Sequence, residues 1–142
     1  MMSNLTIKSL SKADIETALN LIWKVFLEFE APDYTQEGID EFYRSIHDED
    51  YLAALSLYGA FMNEELVGII ATRSGGKHIA LFFVDGKYHR QGIGKQLFQS
   101  VKTDKMTVKS SPYAVPVYSK FGFKPVNTEQ VVKGLRFTPM AF

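Results

Sequence analysis

Hydrophobic positions change their period several times along the chain, and each change marks an element. "LTIKSL" (5–10) alternates as a strand does. Ile15, Leu19, Ile22 and Phe26 then recur at helical spacing, which predicts a helix over roughly 12–29. Ser11, with Asp14 three residues on, is close to a capping box at its start, and Pro32 breaks it. A second helix is expected from after Thr35 to about His47. The run 55–73 reads as two strands around a turn at Asn63-Glu64, and "SGG" (74–76) makes another turn. "KHIALFFV" (77–84) is almost wholly apolar, as a strand covered on both faces is. A helix follows with Ile93, Leu97 and Val101 on one side, then a strand over 106–109. A short helix begins near Pro112, which suits a first turn, and Gly122 suits a left-handed helix end. The tail, 124–142, reads as two strands joined near Lys133-Gly134. The order β-α-α-β-β-β-α-β-α-β-β is that of an α+β (mixed α/β) protein built on one sheet.

Length and composition narrow the function. The chain has 142 residues and a 46% apolar fraction, enough for one domain over 1–142 with a real core. Lys plus Arg and Asp plus Glu are 16 each, so the basic excess of a general nucleic-acid binder is absent. There is no cysteine, which excludes a disulfide framework, a thiol nucleophile and a thiolate-held metal. No apolar run approaches the roughly 20 residues that span a bilayer, and the first residues lack the pattern of a secretory signal. A cytoplasmic protein that binds neither nucleic acid nor membrane is expected.

The stretch "VDGKYHRQGIGKQLFQSVK" (84–102) carries the chemistry. Gly92 and Gly94 open a helix, where backbone N–H groups lack internal partners and the helix dipole is positive. Bare backbone there lets a phosphate approach, with Arg90 and Lys95 adding charge at the rim. The same glycines would also serve a tight strand-to-helix turn. A Walker A loop is excluded, because Gln96 follows Gly94-Lys95 and His89 stands five before Gly94. The dinucleotide fingerprint is excluded because Leu97 takes the place of its third glycine.

A third pattern fits. The loop resembles the acyl-CoA loop of the Gcn5-related N-acetyltransferase (GNAT) superfamily, Gln/Arg-x-x-Gly-x-Gly/Ala, with Gly92 and Gly94 at its glycines. His89 departs from its first position. Tyr118, Gly122 and Phe123 match the family's Tyr-x-x-x-Gly-Phe without a gap, while Lys109 stands where many members have Asn. The resemblance implies a single mixed, mostly antiparallel sheet with helices on both faces. It implies that acetyl-CoA is bound by Phe82, Phe83, Val84, His89, Arg90, Gln91, Gly92, Ile93, Gly94 and Lys95, with no metal. Tyr118 is then the general acid at the CoA sulfur, and a backbone N–H near Phe83 or Val84 is the oxyanion donor, exposed if the central strand splays from 107–109. Counting back eleven from His89, to where some members carry a Glu base, lands on His78, whose ordinary pKa near 6.5 suits a base; a strand-start histidine or a water chain are the alternatives. The acceptor stretch, "FLEFEAPDYTQEGIDEF" (26–42), holds Glu28, Glu30 and Asp33 among its acids and no Lys or Arg, which would attract a cationic amine; a solvated acidic face is the alternative. Trp23, Phe26 and Phe29 are expected in the core. The resemblance implies an N-acetyltransferase acting on a small-molecule or peptide amine, with a homodimer on family grounds. A non-catalytic acyl-CoA sensor of the same fold and an unrelated phosphate binder are the competing readings.

Overall fold

The structure, a computed structural model, describes residues 4–142. Its strands are β1 (Leu5–Ser9), β2 (Ser56–Met62), β3 (Glu65–Arg73), β4 (His78–Val84), β5 (Thr107–Ser110), β6 (Lys124–Pro125), β7 (Gln130–Val132) and β8 (Leu135–Ala141). They form one sheet in the order β1-β2-β3-β4-β5-β8-β6, with β7 paired to β8, and only the β4–β5 pair is parallel. The helices are α1 (Ile15–Val25), α2 (Gln36–Ile46), α3 (Glu49–Ala53), α4 (Ile93–Val101) and α5 (Val115–Lys120). None among the described residues is long and apolar enough to cross a membrane. The mixed, mostly antiparallel architecture agrees with the sequence expectation.

Two local features make the site possible. The first is a bulge in β4. Thr72 pairs with Ile79 and Ala71 with Leu81, so Ala80 has no partner on β3. An extra residue reverses the alternation beyond it. Ile79 therefore joins the core under α4 and α5, with Leu97, Phe98, Val108 and Met140, whereas Leu81 and Phe83 join the core under α1 and α2, with Ile22, Phe26 and Ile69. This is why the strand is apolar at nearly every position.

The second is a splay. β4 and β5 pair only at His78–Thr107 and Ile79–Val108, so from Ala80 to Val84 the edge of β4 that faces β5 has no strand partner. The gap between these strands, on which the exposure of an oxyanion donor depends, is therefore open.

The first helix is longer and less regular than its spacing predicts. A 3-10 turn (Lys12–Asp14) precedes α1, the Ser11 N–H donating to the Asp14 carboxylate at 2.9 Å. After Val25 the chain widens into one π-helical turn, Phe26–Glu30, then tightens into a 3-10 turn at Ala31–Asp33 that contains Pro32. Such π turns re-aim side chains within a helix. Thr35 caps α2, and Asp48 caps the short α3, which the periodicity did not reveal. The turn at Asn63-Glu64 has φ of 50° and 70°, as a two-residue hairpin requires.

Candidate active site

Strand β4 ends at Val84, and the following loop folds back on it. Asp85 accepts hydrogen bonds from Lys24 Nζ (3.0 Å) and the Lys87 N–H (3.2 Å), which holds its carboxyl below the usual range despite burial. His89 Nε2 lies 2.7 Å from the Val84 carbonyl and donates to it. The position that departs from the motif thus pins the loop to the strand end. Arg90 (φ 64°) and Gly92 (φ 83°) take left-handed conformations, and α4 begins at Ile93. A non-glycine residue there carries strain and marks a constrained loop.

Two clefts flank this region. The loop-side cleft, about 250 Å³, is lined by Val84, His89, Arg90, Gly92, Ile93, Gly94 and Lys95, with Phe29, Tyr113 and Val117 opposite. Gln91 is exposed and outside it. Phe29 packs against the α1–α2 core, as expected, and also lines this cleft: its ring lies 4.6 Å from His89 and 5.2 Å from Tyr113, centroid to centroid, and it faces Gly86, where a Cβ would meet it at 2.9 Å. Phe26, by contrast, is fully buried, as expected.

The hairpin-side cleft, about 280 Å³, lies on the α1–α2 side and is closed by the β7–β8 hairpin. The hairpin sits directly on α2: a Cβ on Gly38 would overlap the Gly134 carbonyl oxygen. Of the expected acidic residues only Glu30 lines this cleft; Glu28 and Asp33 line neither. The Asp33 carbonyl accepts from Arg136 at 3.3 Å. Glu41 also lines the cleft, paired with Arg44 at 2.6 Å. The cleft's remaining charges are basic: Arg73, Lys109, Lys133 and Arg136. The helix stretch is acidic, but the cleft it borders is not.

The two clefts share Glu30, Phe82, Phe83, Ala114 and Tyr118. Tyr118, only 5% exposed, packs against Phe82 and Phe123. Burial, then the nearby Glu30 charge, pushes its hydroxyl above the ordinary tyrosine range. Burial also pushes the Glu30 carboxyl up to about 7, with Asp33 adding to the shift and Ser111 opposing it. Glu30 continues the series Ile15, Leu19, Ile22, Phe26 by four residues, so a carboxylate on an apolar helical face was a signal in the sequence.

His78 lines the hairpin-side cleft but not the junction. Phe82 lies four positions further along β4, roughly 13 Å of strand. The His78 Nδ1 lies 2.7 Å from Thr107 Oγ1. Burial, with Arg73 and Lys109 nearby, lowers it to about 4.

A protein-family model, that of the acetyltransferase (GNAT) domain, matches residues 30–142. The chain belongs to that family. The uncharacterized N-acetyltransferase YafP of Escherichia coli (strain K12) is 30% identical over 93 residues, 63% of this chain and 61% of that protein. The chain thus matches less than two thirds of the curated relative's length. Among solved structures, a GCN5-related N-acetyltransferase from Rhodopseudomonas palustris superposes with a TM-score of 0.84 at 20% identity, covering 99% of this chain and 96% of that one. The PaiA N-acetyltransferase of Thermoplasma acidophilum, in complex with coenzyme A, gives 0.77 at 21% identity, covering 96% and 97%. At these identities the likeness is one of fold.

Proposed function

We propose that this protein transfers the acetyl group of acetyl-CoA to a primary amine. The observation that carries the reading is the meeting of the two clefts at Glu30 and Tyr118, beside the unpaired edge of β4. Acetyl-CoA enters the loop-side cleft with its pyrophosphate on the 89–95 loop; the amine enters the hairpin-side cleft.

The chemistry follows from the two side chains. Glu30 takes the proton of the attacking amine; the nitrogen lone pair forms the bond to the thioester carbon. The carbonyl oxygen gains charge and is held by N–H groups on the open β4 edge. The C–S bond breaks as Tyr118 delivers its proton to sulfur. The order of the steps suits the electrostatics. Once Glu30 is protonated its negative charge no longer opposes ionisation of Tyr118, so the phenol becomes a better acid when the thiolate departs. His78 is the weaker base: it stands away from the junction, and its lowered pKa makes it a poor proton acceptor.

The test is thiol release from acetyl-CoA with a panel of primary amines. Amine-dependent release is the expected result. Tight CoA binding with no turnover for any amine would instead support the sensor reading, and stabilisation by ATP or NAD but not CoA would overturn both.

A further inference from the structure

The far end of the hairpin-side cleft carries a feature that acetyl transfer alone does not require. Arg73, His78 and Thr107 are in register on β3, β4 and β5, so their side chains share one sheet face, and Lys109 lies two residues beyond Thr107 on that face. Arg73, His78 and Lys109 all line the cleft. Among the described residues neither Arg73 nor Lys109 forms an ion pair; the pairs are Lys24–Asp85, Arg44–Glu41, Arg44–Asp48 and Arg136–Glu129. Lys109 instead lies over the Phe137 ring, 5.3 Å from its centroid. His78 stands beside both cations, and burial first, then their charge, opposes its protonation. The cleft's two carboxylates are elsewhere engaged: Glu30 lies at the junction, and Glu41 is held by Arg44.

We propose that Arg73 and Lys109 form an anion subsite, which binds a carboxylate or phosphate carried by the acceptor whose amine reaches Glu30 and Tyr118. The proposal rests on the hairpin-side cleft being the acceptor site. The acceptor is then bipolar rather than simply cationic. Along β4 the two ends are roughly 13 Å apart, and the long Arg73 and Lys109 side chains shorten the gap. An amine and an anion roughly 7–10 Å apart fit, as in a lysine ε-amine with its own carboxylate or the two ends of a tripeptide. Arginine offers a planar fork of donors to such an anion and lysine a point charge beside it.

The experiment compares amines that differ only at the far end: 6-aminohexanoate, 6-aminohexyl phosphate and the neutral 6-aminohexan-1-ol. Steady-state rates with acetyl-CoA should give at least one anionic acceptor a kcat/KM about tenfold or more above the alcohol, chiefly through KM. The carboxylate and phosphate arms tell which anion is preferred. The double variant Arg73→Gln, Lys109→Gln, checked by its melting temperature, should collapse that ratio toward one. A second readout is independent of turnover: calorimetry with 6-acetamidohexanoate and 6-acetamidohexyl phosphate against 6-acetamidohexan-1-ol, on the protein saturated with CoA. Stronger binding of an anionic ligand, lost in the double variant, supports the subsite even if no amine in the panel is acetylated. Equal binding of charged and neutral ligands, or an unchanged preference in the double variant, overturns the subsite even if every amine is acetylated.

Discussion

The loop-side cleft takes most of its lining from one continuous stretch, Phe82 to Lys95, whereas the hairpin-side cleft is assembled from the π turn after α1, from α2 and α3, the end of β3, most of β4, β5, α5 and the β7–β8 hairpin. The first is shaped by backbone: a strand end, left-handed residues at Arg90 and Gly92, and a helix start. The second is shaped by side chains brought together over the whole length of the chain. A cleft of the first kind suits a ligand common to a family, because a phosphate needs only bare N–H groups. A cleft of the second kind suits a ligand peculiar to one protein. The comparison makes a demand: changes at the junction should stop chemistry, changes in the loop should weaken CoA alone, and changes at the hairpin should weaken the amine alone.

The largest effects belong at the junction. Tyr118→Phe keeps the ring packed between Phe82 and Phe123 but removes the proton, and Glu30→Gln keeps the shape but removes the base. Each should lower kcat by roughly 10²–10⁴ with CoA affinity little changed. Glu30 also sets the pH dependence. With its carboxyl at about 7, wild-type activity should rise with pH through that region, and Glu30→Gln should lose the limb. A limb near pH 4 that disappears in His78→Ala would return the base to His78.

In the loop, Gly94 is a cleaner probe than Gly92. At φ 83° any side chain on Gly92 strains the helix start, so loss of binding there would be confounded with loss of structure. A Cβ on Gly94 makes ordinary contact with Phe82 at 3.5 Å and with Val84 at 3.8 Å, and it narrows the cleft. Gly94→Val should weaken CoA about ten- to a hundredfold in a calorimetric titration, with the melting temperature nearly kept. Unchanged affinity would remove the loop from the pyrophosphate site.

This asymmetry also explains what the sequence discloses. The strand-to-helix turn at Gly92, the left-handed Gly122 after α5 and the Asn63-Glu64 turn are legible because each depends on residues close in sequence with distinctive backbone demands. The splay and the β4 bulge are not, since they arise from pairing between strands. Without the bulge, the apolar run 77–84 says only that both faces are covered. Acidic composition over 26–42 pointed to a cationic acceptor because composition does not say which way a carboxylate faces. Helical spacing does single out Glu30, four residues beyond Phe26 on the apolar face, but Arg73 and Lys109 enter the same cleft from strands far along the chain.

At the hairpin, Gly38 tests whether the second cleft is independent of the first. Helix propensity alone favours alanine in α2 by about 1 kcal/mol. A Cβ at that position, however, meets the Gly134 backbone, and overpacking of this kind costs about 1–3 kcal/mol. Gly38→Ala should therefore be destabilising or neutral rather than stabilising. It should shift the hairpin off the cleft, raise KM for the amine several-fold and leave CoA affinity unchanged. An equal loss for both ligands would show that the two clefts are mechanically one.

The smallest effect tests the junction without any substrate. Glu30 binds its proton more tightly in the folded protein, at about 7, than in the unfolded chain, near the ordinary 4.5. Between those values the folded state holds a proton that the unfolded state has released. Stability contributed by this group therefore falls as pH rises from about 4.5 to 7, and is lowest above that window. Because the carboxyl borders two clefts, the change should be on the order of 1–2 kcal/mol rather than the full value of the shift. Denaturant titrations of wild type and Glu30→Gln at pH 5 and pH 8 measure it. The variant should be the more stable of the two at pH 8 and nearly equal at pH 5. If the difference does not depend on pH, the carboxyl is not desolvated, and Glu30 is not the base at neutral pH.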